Sequence, residues 1–200
     1  VARTGTRLTR RLVAPLAGLA LAGALIAGCA PAPGTAAVVD GQVIGESDVT
    51  AALEDWNTFV RASILAQQPD ASAEDLAAQM AQPAAVLNRL VAAPTILEVV
   101  SEAGAGVSES QALETWGALG QQLGFDASGE LSDASMLYLR SQIAIESLGD
   151  APNAQEIQGE IGSRLAELDV TVSERYGTWT EEGLMASTWD WIESPAPEVA

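Results

Sequence analysis

The side chains that ordinarily carry chemistry are few in this chain. It holds one cysteine, Cys29, and no histidine. A Ser-His-Asp triad, a Cys-His pair, histidine-bound zinc and the zinc-deaminase pattern are therefore outside its reach. A lone cysteine also forms no internal disulfide. Carboxylates are abundant, with 27 Asp and Glu against 9 arginines and no lysine. Carboxylates can ligate calcium or move protons, but Asp40, Glu46 and Asp48 lack the twelve-position alternation of an EF-hand loop. No convergent acid pair stands out to nominate. The other acids fall mostly on helix surfaces, where charged residues ordinarily sit. The expectation is a protein with no catalytic residues, no metal, no cofactor and no glycine-rich phosphate loop.

Cys29 sits directly after the longest apolar run. Arg3, Arg7, Arg10 and Arg11 come first, Leu12 to Ala27 is uncharged and rich in Ala, Leu and Gly, and small residues lead into the cysteine. This is the order of a secretory signal peptide, whose apolar stretch is too short to favour a permanent spanning helix. Ile26-Ala27-Gly28-Cys29 further resembles a bacterial lipobox. That resemblance implies cleavage before Cys29 and covalent lipid, palmitate included, on the new N-terminal residue. Each buried acyl CH₂ contributes about 0.8 kcal/mol, so several chains anchor stably. The competing reading is an uncleaved apolar helix with a buried cysteine. The Arg10-Arg11 pair alone does not assign an export route.

The chain then divides into a signal peptide at 1–28, a lipidated cysteine and short tether at 29–35, one domain at 36–180 and an acidic tail at 181–200. Pro31, Pro33 and Gly34 interrupt regular structure in the tether. All 27 acids but only 5 arginines lie after Cys29, so the remaining chain carries a net charge of −22. Neutralising phosphates needs clustered Lys and Arg, which excludes a nucleic-acid groove. An acidic face can attract basic unfolded segments, or simply keep a surface soluble beside a lipid anchor.

Elements that would position any site follow from periodicity. Asp40-Gly41 between Val-rich runs predicts a hairpin, which must rest on helices or accept another strand. Val49, Leu53, Trp56, Val60 and Ile64 predict a helix over 49–67, capped by Ser47 or Asp48. Ser72 with Asp75 and Ser108 with Gln111 are capping-box starts, the second opening a helix over 109–124. Pro83 begins another helix. Pro94 kinks or divides that helix, or else marks an accommodating groove. Ser132 caps a helix through Leu148, and Ile157, Ile161, Leu165 and Leu168 predict one over 154–169. Val170 and Val172 change the period to that of a short strand, paired with the hairpin near 37–44.

Taken in order, "AAVVDGQVIGESDV", "AVLNRLVAAPTILEVVSEAGAGVSE" and "DVTVSERYGTW" resemble the chaperone portion of SurA/PrsA-like exported foldases, especially actinobacterial lipoproteins. The resemblance implies a mainly α fold, a SurA N-terminal-like helical chaperone domain with a small β-hairpin and one late strand. Such foldases commonly insert a parvulin isomerase domain. This chain has no room for one between Leu148 and Ile157, and lacks the histidines of a parvulin cleft. The expected function is an isomerase-free chaperone-like lipoprotein on the outer face of the cell membrane, binding unfolded exported polypeptides without ATP. The alternative partner is one dedicated envelope protein. Trp56, Trp116, Met136 and Tyr138 are candidate structural or peptide-binding residues. The resemblance adds Arg175, Tyr176, Gly177 and Trp179, with Arg175 pairing an acid and Gly177 supplying a turn.

Overall fold

The computed structural model describes residues 32–149, 151–180 and 182–186. The lipobox residues Ile26, Ala27 and Gly28, together with Cys29, lie outside the described residues, as does the chain beyond 186.

Strands β1 (Thr35–Val39) and β2 (Gln42–Gly45) are joined by the expected two-residue turn. Asp40 and Gly41 both take positive φ, 49° and 80°. This is the type I′ geometry whose twist matches a hairpin, and Asp-Gly is a sequence that adopts it readily. β3 (Val170–Val172) pairs antiparallel with β1, so the sheet order is β2-β1-β3. The first and last parts of the domain are thereby tied through one central strand.

Helix α1 (Glu46–Gln67) starts three residues earlier than its apolar spacing predicts. Gly45 occupies the N-cap position, and its N–H donates to Asp48 Oδ2 at 2.8 Å. Asp48 thus serves from inside the first turn, where a carboxylate also meets the positive end of the helix dipole. Helix α2 (Ala73–Gln79) and helix α4 (Glu109–Leu123) open on the expected boxes, with Ser72 Oγ accepting from Asp75 N–H and Ser108 Oγ from Gln111 N–H. Helix α5 (Asp133–Leu148) is capped by Ser132, and α6 (Ala154–Ala166) ends a turn before its apolar spacing does.

Helix α3 (Pro83–Glu102) is not divided at Pro94 but runs as one helix with Pro94 inside it and exposed. Proline removes one backbone donor at about 3 kcal/mol. Ten buried residues of α3, among them Val86, Leu87, Leu90, Ile96 and Val100, offset that cost. Eight of the ten belong to two clusters. One joins α3, α4, α5 and α6 around Ile96, Val100, Trp116, Leu148 and Ile161. The other joins the three-stranded sheet to α1 and the first half of α3 around Ala37, Val49, Leu87 and Tyr176. Among the described residues all members of both clusters lie within 36–184, so a chain beginning at residue 30 retains them.

The stretch Ala73–Glu102 is apolar enough, by length and composition, to resemble a spanning segment, yet half of the most apolar window is buried inside the domain. Its place between two core clusters accounts for that composition.

A further correction concerns the end of the domain. Rather than a single late strand, β3 is followed by β4 (Thr178–Thr180) and β5 (Gly183–Met185), paired antiparallel as a separate two-stranded sheet. β5 lies beyond residue 180 and docks on α3, where Asn88 Oδ1 accepts from Leu184 N–H at 3.0 Å. The resulting domain is mainly α-helical with two small sheets.

Candidate functional site

The aromatic residues singled out by type converge, and they converge inward. Trp56 on α1 lies 4.8 Å from Phe59 and 5.0 Å from Tyr138 on α5, measured between ring centroids. Trp116 on α4 lies 4.9 Å from Phe125 in an edge-to-face arrangement and 6.3 Å from Phe59. Such offset and tilted pairs add about 0.5–1.5 kcal/mol beyond area burial. Only 5% of Trp116 and 8% of Tyr138 remain exposed. The void among Ala52, Asp55, Trp56, Trp116 and Tyr138 is about 10 Å³, space for one water at most. Burial pushes the Tyr138 phenol above its usual pKa, opposed by the Arg89 guanidinium beside it. Met136 is half-buried against the same helical cluster.

The late motif is likewise held in the structure. Tyr176 is buried in the sheet-side cluster and Trp179 packs partly against it. Arg175 is exposed and pairs with an acid, Nη1 donating to Glu46 Oε1 at 2.8 Å. Glu46 raises the Arg175 pKa, and the guanidinium also sits 5.5 Å from the Tyr176 ring centroid. Gly177 has φ 137°, and a Cβ there would run into the carbonyl of Met185. Glycine is required at that close approach of β4 to β5.

Open space lies elsewhere. A groove of about 490 Å³ runs between the hairpin, α3 and the start of α5. That is within the roughly 300–1,000 Å³ range of binding clefts. Its apolar lining comes from Val39, Val43 and Ile44 on the hairpin, Leu90, Val91 and Pro94 on α3, Ala134 and Leu137 on α5, and Leu168. Four carboxylates, Asp40, Asp48, Glu98 and Asp133, also line it, and among the described residues no arginine does. Asp40 accepts from Asp169 N–H at 3.0 Å, Asp48 from Gly45 N–H, and Glu98 comes within 3.7 Å of Arg164. Arg164 is held mainly by Glu102 at 2.6 Å and Glu160 at 2.8 Å, which raise its pKa.

Two features of this groove are unusual for a sealed domain. Val43 is 64% exposed, a large aliphatic side chain in water at the mouth. It also sits on an edge strand. β1 gives its Asp40 N–H and Ala36 carbonyl to the β3 side, and Val38, between them, stands opposite Val43. The alternation of an antiparallel ladder therefore turns the N–H and C=O of Val43 outward, away from β1. Pro94 is exposed on the facing helix, and lacking an N–H it leaves the Leu90 carbonyl without its usual helical donor.

None of the aromatic or late-motif candidates lines this groove. The residues that do were hidden among ordinary core formers. The usable sequence signal was the adjacent pair Val43-Ile44, since two neighbouring apolar residues on a strand cannot both face the same core. Pro94 inside an apolar helix was the second.

No protein-family model, curated protein or solved structure matches the chain. The class defined by fold and site is a mainly α-helical domain that carries an apolar groove with an acidic rim.

Proposed function

We propose that this protein is a membrane-anchored, extracytoplasmic chaperone-like lipoprotein that holds unfolded or partly folded exported polypeptides without ATP. The observation that carries the reading is the groove beside β2, where aliphatic surface and an unpaired strand edge are exposed together. A holding site needs apolar area accessible to many sequences and backbone groups that bind regardless of side chain. Strand addition to a sheet edge supplies the second requirement. The resemblance to SurA/PrsA-like foldases supports the same function, and the Ile26-Ala27-Gly28-Cys29 lipobox supports lipid attachment at the outer face of the membrane. The net charge of −22 after Cys29 keeps such a surface from self-association.

The test compares aggregation of several unrelated unfolded exported proteins with and without the 30–200 chain, after its folding is checked by circular dichroism. Broad suppression at near-stoichiometric concentration is expected. No suppression by the folded chain contradicts a holdase and favours binding to one dedicated envelope protein.

A further inference from the structure

The groove's charge is as one-sided as its surface is apolar. We infer that its occupant is an extended polypeptide segment in which arginine or lysine alternates with aliphatic residues, added as a strand along β2. This rests on the holding function above and specifies which segments are held.

The geometry supports it at three points. First, Val43 directs one N–H and one C=O outward, the minimum needed to register an incoming strand. An extended segment places alternate side chains on opposite sides. One set then lies level with Ile44 and meets Pro94 and Leu137, and the other lies level with Val43 on the outer face. Second, the rim carries Asp40, Asp48, Glu98 and Asp133, and among the described residues no arginine lines it; Arg164 approaches Glu98 alone, from outside the groove. Acidic segments are repelled by the same field that attracts basic ones, so the rim selects against a class of sequence as well as for one. Third, the domain's own cations are mostly held by other groups: Arg140 donates to the Val107 carbonyl, Arg175 to Glu46, and Arg164 to Glu102 and Glu160, reaching the rim only at Glu98, 3.7 Å away. A cation arriving at the rim therefore competes with few internal ones. β2 is only four residues long, so backbone pairing is brief and side-chain charge must contribute much of the selectivity.

The experiment measures binding of three labelled short peptides to the 30–200 chain by fluorescence anisotropy. The peptides alternate valine with arginine, with serine or with glutamate. The arginine peptide is expected to bind about tenfold tighter than the serine peptide at low ionic strength, with the glutamate peptide weakest. In about 1 M NaCl, where the screening length falls to about 3 Å, the arginine and serine affinities should converge. The double variant Glu98→Gln with Asp133→Asn should lose most of the arginine preference and keep the serine affinity. Val43→Pro removes the outward N–H at an edge position where proline is tolerated, and should weaken all three peptides together. Equal affinity for arginine and serine peptides in low salt overturns the charge selection, while aggregation suppression by the same sample leaves the holding function standing. An unchanged serine affinity in Val43→Pro overturns strand addition. Loss of both peptide binding and aggregation suppression in the folded chain removes the holding function itself.

Discussion

The aromatic cluster between α1, α4 and α5 and the aliphatic groove beside β2 are both rich in apolar side chains, but one is filled and the other leaves room for an occupant. Trp56, Phe59, Trp116, Phe125 and Tyr138 pack in tilted and edge-to-face pairs, and the space beside Trp56, Trp116 and Tyr138 is only about 10 Å³. Val43, Pro94 and Leu137 face a space of about 490 Å³. Large flat rings fill volume efficiently and close a junction between helices. The groove stays open because its walls come from a short hairpin and a proline-bearing helix. The hairpin carries its valine outward, and nothing in the described chain covers Pro94. Aromatic content alone therefore marks cohesion here, and accessibility lies with plainer residues.

This contrast is open to direct attack. Trp116→Ala should destabilise the domain by about 3–5 kcal/mol, the usual cost of truncating a buried aromatic. Urea denaturation measures that loss, and client affinity per folded molecule should stay the same. A large drop in affinity at preserved stability would move the binding site to the aromatic face. Gly177→Ala should cost about 1–3 kcal/mol, because φ 137° strains any side chain and the new methyl meets the Met185 carbonyl. Thermal unfolding tests it, with loss of the β4–β5 pairing as the local signature. Ser108→Ala removes the α4 cap and should cost about 1 kcal/mol.

The smallest effect is a pH response. The Ser72 hydroxyl and N–H both donate to Asp75, which holds its carboxyl below the usual 3.8. A depressed folded-state pKa stabilises above the unfolded value and ceases to do so as pH falls through the folded one. Amide hydrogen exchange at the start of α2 should therefore quicken below about pH 4, and Asp75→Asn should abolish that change.

Much of this fold was legible before any coordinates. Asp40-Gly41 names its own turn, Ser72-Asp75 and Ser108-Gln111 name two helix starts, and Val170 with Val172 breaks the helical period where β3 begins. These are local signals that depend on a few neighbouring residues. The start of α1 was misjudged because Asp48 can cap either as the first residue or from the third position, and only the backbone distinguishes them. β4 and β5 were missed because three-residue strands carry too little alternation to be recognised. The groove was least legible, since it depends on how the hairpin leans on α3 and α5, a tertiary relation that spacing along the chain does not encode. Only the Val43-Ile44 pair and Pro94 hinted at it.

The central claim is that the aliphatic groove, and not the aromatic cluster, holds client chains. Val43→Asp tests it most directly, because the exposed side chain makes few native contacts and its replacement should change stability by less than about 0.5 kcal/mol. With folding verified by urea denaturation, the variant is predicted to lose most of its suppression of client aggregation. Full suppression by a Val43→Asp chain of unchanged stability would contradict the account.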